Sequence, residues 1–278
     1  MKSTVLFALA IAFSNNMVAQ VKEGTITYER KINTWRRITD EQMRAMIPEY
    51  RVSKHVLMFN DSTSVYKMLP EDEAPDPFAG GNGGGVRIAF RGSGADAGEL
   101  YKNFANSTSI QSTELGGKNF LITDSIKKLP WKITSDTKQI LGYTCRKAVR
   151  KMQAPAGPIS ITRITTRTDG GNAQSDTAKT VNPTPKMKDI EVVAWFAENL
   201  PVPVGPDANT SLPGAVLEVD IDNGGTVFVA TEVKKTVDAN ALKEPKKGKK
   251  ITAADYQKMM IEMMQNQIPS GGGMRFSM

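Results

Sequence analysis

Residues 215–233 read AVLEVDIDNGGTVFVATEV, and this stretch decides the fold class. In an extended chain successive side chains point to opposite faces, so Leu217, Val219 and Ile221 share one side while Glu218, Asp220 and Asp222 share the other. Asn223, Gly224 and Gly225 break the alternation with residues suited to a tight turn, and 226–233 resumes it. The pattern predicts an antiparallel hairpin with one face buried.

The same period of two recurs upstream in GTITYERKI (24–32), in 56–59 and 64–68 on either side of Asn60-Asp61, and in 100–105, 119–123 and 131–134. It continues in ILGYTCRKAV (140–149), read as one strand with Tyr143, Cys145 and Val149 on a core face, and in the apolar run 190–196. Residues 39–47 are the helical exception: Thr39 and Gln42 form a capping box, Met43, Met46 and Ile47 share a face, and Pro48 ends it. Polar, Gly- and Pro-rich stretches near 70–98 and 153–187 read as loop inserts. Repeated hairpins without crossover helices predict a mainly β fold over 20–237: a large antiparallel twisted sheet or open half-barrel with a short helix. A chain of 278 residues can bury such a core without disulfide or metal staples.

Beyond residue 237 the character changes. Residues 238–250 read as a Lys-rich linker. Residues 251–268 read as an amphipathic helix, started by Thr252 and Asp255, with Tyr256, Met259, Met260, Met263, Met264 and Gln267 on one face, followed by a Gly-rich tail at 269–278. Met at helical spacing is read as a packing stripe rather than a copper(I) site. The formal charge of +7 does not signal nucleic acid, because KEPKKGKK (243–250) alone carries five Lys and one Glu. No basic face spreads over the rest.

The first twenty residues, MKSTVLFALAIAFSNNMVAQ, have the form of a secretory signal: Lys2, then an apolar run from Val5 to Phe13, then Ala19 at the cleavage position. That run is too short to span a bilayer, and no Cys follows it to carry a lipid anchor. Export with cleavage after residue 19 is expected, giving a periplasmic or secreted protein. A single cysteine, Cys145, excludes an intramolecular disulfide, and together with the single histidine, His55, it falls short of the usual zinc sets. No metal or cofactor is expected. Gly92-Ser93-Gly94 lacks the spacing of a phosphate loop, and Asp220 to Gly224 lacks the later ligands of a calcium loop.

Trp131, GYTC at 142–145 with Lys147 and Ala148, AWF at 194–196, LPVPVGP at 200–206 and SLPGAVLEV at 211–219, in this order, resemble the GLPGLI family. That family comprises exported proteins of Gram-negative bacteria and is named for a hexapeptide. Here SLPGAV keeps Leu212, Pro213 and Gly214 and differs at Ser211, Ala215 and Val216. The resemblance covers about residues 22–235, implies an envelope protein of uncharacterised function and supplies no catalytic residues. Read physically, Pro213 and Gly214 suit the centre of a type II turn, with Gly214 taking the positive φ. Trp195, Glu198, Leu212, Pro213 and Gly214 are the candidates for touching a ligand or partner. The function expected is non-catalytic: binding an apolar ligand in a curved sheet, or assisting an outer-membrane partner. The alternative is a secreted hydrolase whose carboxylates are not identifiable from spacing.

Overall fold

The computed structural model describes residues 22–38, 40–70, 98–115, 117–155 and 187–266. The expected signal segment, nearly all of both inserts, Thr39 of the capping box and the tail lie outside the described residues. Twelve strands form one sheet: β1 (Gly24–Asn33), β2 (Tyr50–Phe59), β3 (Thr63–Met68), β4 (Leu100–Asn103), β5 (Thr108–Leu115), β6 (Lys118–Ser125), β7 (Lys132–Ile140), β8 (Tyr143–Pro155), β9 (Met187–Ala197), β10 (Ala215–Ile221), β11 (Thr226–Lys234) and β12 (Lys249–Thr252). Two helices, α1 (Glu41–Met46) and α2 (Ala253–Asn266), complete it with short 3-10 turns at Thr34–Arg37 and Ala239–Leu242. No helix among the described residues is long and apolar enough to cross a membrane.

The strand order is β12-β6-β5-β4-β3-β2-β1-β11-β10-β9-β8-β7, so the sheet is open, with β12 and β7 as its edges. All neighbours are antiparallel except β12 on β6. A flat sheet would separate β6 from β7 by ten strand spacings, roughly 48 Å. The six residues 126–131 that join them reach at most about 25 Å. The sheet must therefore curl: it is the large twisted sheet expected, open and not closed into a barrel.

Each face of the curled sheet has its own core. On the concave face Ile26, Tyr28, Leu57, Phe59, Val192, Ala194, Phe196, Val219 and Phe228 are buried together. On the convex face Val56, Met58, Val65, Tyr101, Ile110 and Leu121 pack beneath Leu242, with Val237 and Ala241 beside it. The covering chain is the one expected to be a linker. Leu242 is an apolar residue in a Lys-rich run, and burying it (8% exposed) pins the segment to the back of the sheet. The chain then rounds β6 through Gly248 at φ +143°, pairs as β12 with 120–123, and starts α2. Tyr256 of α2 meets Phe120 edge-on at 6.1 Å. Phe120 and Leu121 point to opposite faces, so the C-terminal segment wraps the edge of the sheet from back to front. Residues 251 and 252, expected in the helix, belong to the strand instead.

Two further elements depart from the sequence reading. The strand expected over 140–149 is a hairpin: Leu141 (φ 50°) and Gly142 (φ 80°) turn β7 into β8. Cys145 is fully buried while Tyr143 and Val149 are only half-buried. β5 had no counterpart in the sequence reading, because TSIQSTEL offers only Ile110 and Leu115 to an apolar pattern.

Candidate functional site

Between β9 and β10 the chain leaves the sheet and crosses its concave face as a strap, residues 198–214. Leu200, Val202 and Val204 point inward and are buried, while Pro201 and Pro203 between them face solvent. Proline holds φ near the extended range, so the Pro-Val alternation keeps the apolar side chains on one side. Tight turns bind the strap to itself, with Val202 N–H donating to Leu200 O and Val204 N–H to Val202 O, both at 2.8 Å. Ala215 and Val216 N–H then donate to Leu200 and Val204 O at 2.9 Å, and the buried Tyr28 Oη donates to Val216 O at 2.6 Å.

The tip of the strap is held by polar groups from both walls of the trough. Asn209 N–H closes a turn on Pro206 O at 3.1 Å. An ideal Cβ on Gly205 would lie 2.0 Å from Asn209 O, so only glycine fits there. Lys102 Nζ of β4 donates to Asp207 O at 2.6 Å, and Arg150 Nη2 of β8 donates to Asn209 Oδ1 at 3.1 Å. Lys102 and Arg150 lie seven strands apart along the sheet, yet they grip residues two apart in sequence. Trp131 Nε1 donates to Thr210 O at 2.9 Å, and the Arg150 guanidinium stacks over the Trp131 ring at 5.0 Å.

Beneath this tip Arg30, His55, Tyr66, Lys102 and Asp207 form a titratable cluster. The His55 ring stacks on Tyr66 with 5.2 Å between centroids, and its Nε2 lies 3.0 Å from Ser53 Oγ. Burial, reinforced by the nearby Arg30 charge, pushes the His55 pKa down to about 4, so the ring is neutral. Burial pushes Lys102 down to about 8 against the opposing pull of Asp207. Asp207 is raised because its desolvation outweighs the attraction of Lys102 and Arg30. Tyr66 is raised well beyond its ordinary range by burial and by Asp207. Asp207 also sits at φ +55°, a left-handed conformation uncommon outside glycine.

The five residues expected to touch a ligand do not converge. Trp195 lies on the convex face under Lys138 Nζ, 4.4 Å from the ring centroid, and Lys138 pairs with Glu218 at 2.7 Å. Glu198 is exposed and pairs with Arg146 at 3.1 Å. Leu212 is buried in the concave core, and Pro213 is exposed. Gly214 does not take a positive φ, which corrects the type II turn. The left-handed residue is Ser211, at φ +75°. Gly214 is required for a different reason: a Cβ there would lie 2.1 Å from Ala197 O of β9.

Of the other candidates, His55 and Cys145 do not meet: His55 Nε2 lies 3.0 Å from Ser53 Oγ, and Cys145 Sγ donates to Tyr143 O at 3.6 Å. Burial pushes the Cys145 thiol up to about 11 despite the opposing influence of Lys138. Asp220 Oδ1 accepts from Gly224 N–H at 2.6 Å and Asp222 pairs with Lys188 and Arg36, as a hairpin turn uses them. No group of three or more metal-binding side chains is gathered among the described residues. The cluster under the strap escaped the sequence reading, although a signal existed. His55 shares its strand face with Leu57 and Phe59, and Lys102 shares its face with Leu100, so each is a polar residue on an apolar side.

Residues 131–218 match a family model described as a protein of unknown function (Porph_ging). The matched stretch, about a third of the chain, holds Trp131, β7 to β9 and the entire strap. No curated protein sequence matches. Among solved structures, PNGF-II in a C2 crystal form is 18% identical with a TM-score of 0.49, covering 86% of this chain and 33% of its own. PNGF-II in a P21 form gives the same identity and TM-score over 87% of this chain and 34% of its own. This chain thus spans about a third of the length of these structures, and the likeness bears on neither ligand nor activity.

Proposed function

We propose that this is an exported envelope protein of Gram-negative bacteria that acts by binding a partner protein, without catalysis. The strap carries this reading. A carrier of apolar molecules keeps a concave apolar pocket open for its ligand. Here Leu200, Val202, Val204 and Leu212 occupy the trough themselves. Of the two kinds of binding expected from the sequence, this filling of the trough favours the outer-membrane partner over the apolar ligand. A glycosidase-like form of the hydrolase alternative would need two carboxylates roughly 5–9.5 Å apart. Among the described residues the charges that act on Asp207 come from Lys102 and Arg30, with no second carboxylate among them. Residues 1–20 and the resemblance of 211–216 to the GLPGLI signature support export and the envelope location.

The experiment is purification from the native envelope under mild cross-linking, followed by intact-mass analysis and lipid extraction. A chain beginning at Gln20, with a protein partner in stoichiometric amount and no bound lipid, is expected. Retention of Met1 would overturn export. One lipid per chain, or a bare monomer, would overturn the partner-binding reading.

A further inference from the structure

The strap tip closes over more hydrogen-bond donors than it satisfies. Lys102 is 7% exposed, and its ammonium, which has three N–H groups, bonds the backbone carbonyl of Asp207 rather than the carboxylate. Tyr66 is 2% exposed, and its Oη has no hydrogen-bond partner. His55 is fully buried, and its Nδ1 has none. When Ser53 Oγ donates to Nε2, Nδ1 carries the proton and becomes a further donor. The three side chains are neighbours on one face: Lys102 pairs in register with Ser64, two residues from Tyr66, and Tyr66 pairs with Leu57, two residues from His55. Among the described residues, the charges that act on the Asp207 carboxyl are those of Lys102 and Arg30.

We propose that this cluster is a binding site for a small oxyanion, a carboxylate or a phosphate, received by Lys102 Nζ and Tyr66 Oη beneath the 206–209 turn. Buried donors that include an ammonium match an anion, because charge-assisted hydrogen bonds to an oxyanion satisfy donor and charge together. A cation would meet Lys102 and Arg30 head-on, and an apolar group would leave the donors unpaired. The site lies close to water, since Asp207 is half-buried and Ala208 beside it is exposed. The inference stands apart from the partner-binding reading and is tested without a partner.

The test is thermal unfolding of the full chain in sodium phosphate and in sodium acetate, each against sodium chloride at equal ionic strength. A saturable rise in Tm over chloride is expected, and the salt that saturates at lower concentration tells phosphate from carboxylate. Tyr66→Phe, which keeps the ring stacked on His55, should weaken the effect about tenfold. Lys102→Met should abolish it. If Lys102→Met does not fold, Tyr66→Phe decides alone. No rise beyond chloride, or an equal rise in wild type and Tyr66→Phe, overturns the proposal.

Discussion

Ser211→Gly is expected to stabilise the protein and Gly214→Ala to damage it, although the two positions lie three residues apart in one turn. At φ +75° Ser211 is in a left-handed conformation that costs an L-residue roughly 1–2 kcal/mol. Glycine removes that strain but adds roughly 0.4–1 kcal/mol of unfolded-state entropy. It also loses the Ser211 Oγ bond to Lys127 O, at 3.3 Å and exposed, which is worth roughly 0.5 kcal/mol. At the middle of these ranges the balance favours glycine by about 0.3 kcal/mol, or roughly 1 °C in Tm for a chain this size. At Gly214 the balance reverses. A Cβ would lie 2.1 Å from Ala197 O and 2.8 Å from its carbon, so β10 must shift by about 1 Å to admit it. That shift strains the pairing of Ala215 with Ala197 and the bond from Ala215 N–H to Leu200 O at 2.9 Å. Overpacking of roughly 1–3 kcal/mol plus one weakened hydrogen bond, less the roughly 0.4–1 kcal/mol that alanine saves in unfolded-state entropy, gives a loss of about 2 kcal/mol. Urea unfolding followed by circular dichroism measures both. A Gly214→Ala protein as stable as wild type, or a destabilised Ser211→Gly protein, would refute the reasoning and restore the positive φ to position 214.

Leu212→Ala, which empties a buried strap position, should cost about 3 kcal/mol in the same assay. His55 has a folded pKa near 4 against 6.5 for the ordinary side chain, so the unfolded chain takes up the proton first. Stability should be fully present above pH 6.5 and fall as pH drops toward 4, by roughly 2–3 kcal/mol, and His55→Gln should flatten this limb of the curve. Cys145, buried with its thiol pushed up to about 11, should resist a thiol reagent at pH 8 in the native protein and react stoichiometrically once unfolded. Truncation after Val237 removes Leu242 and β12 and should cost more than about 3 kcal/mol by urea unfolding. Truncation after Thr252, which spares both, should cost about 1 kcal/mol.

Strands whose alternation sets apolar against polar residues could be read directly. β10 and β11 follow from Leu217, Val219, Ile221 and the turn at 222–225, and the structure pairs Val219 with Phe228. Where the periodicity carries no such contrast, the reading failed. β5 sends one apolar side chain, Ile110, into the core among polar neighbours, and its pairing with β4 and β6 holds the rest in place. Gly142 reads as part of a strand because Ile140, Tyr143 and Cys145 around it are all suited to strands, and a glycine at a type I′ turn looks the same as one within a strand. The C-terminal segment was misread for a related reason: five lysines dominate 243–250, while the residue that fixes it to the sheet is the single Leu242 that precedes them.

The polar cluster was hidden by a property of curvature rather than of composition. Lys102 and Arg150 share no motif, and along the sheet seven strands divide them. They meet the same turn only because the short 126–131 crossover curls the sheet, and a crossover length becomes a constraint only once the strand order is known. The strap shows the same dependence at one residue. The requirement for glycine at 214 is legible in the sequence but its cause is not, because sequence does not distinguish a glycine that needs φ > 0 from one that needs room. Only the carbonyl of Ala197, brought over from β9, makes that distinction. The substitutions at 211 and 214 therefore test more than a turn type, since their opposite signs require the strap to be seated against β9 at the depth that also brings Asp207 down onto Lys102.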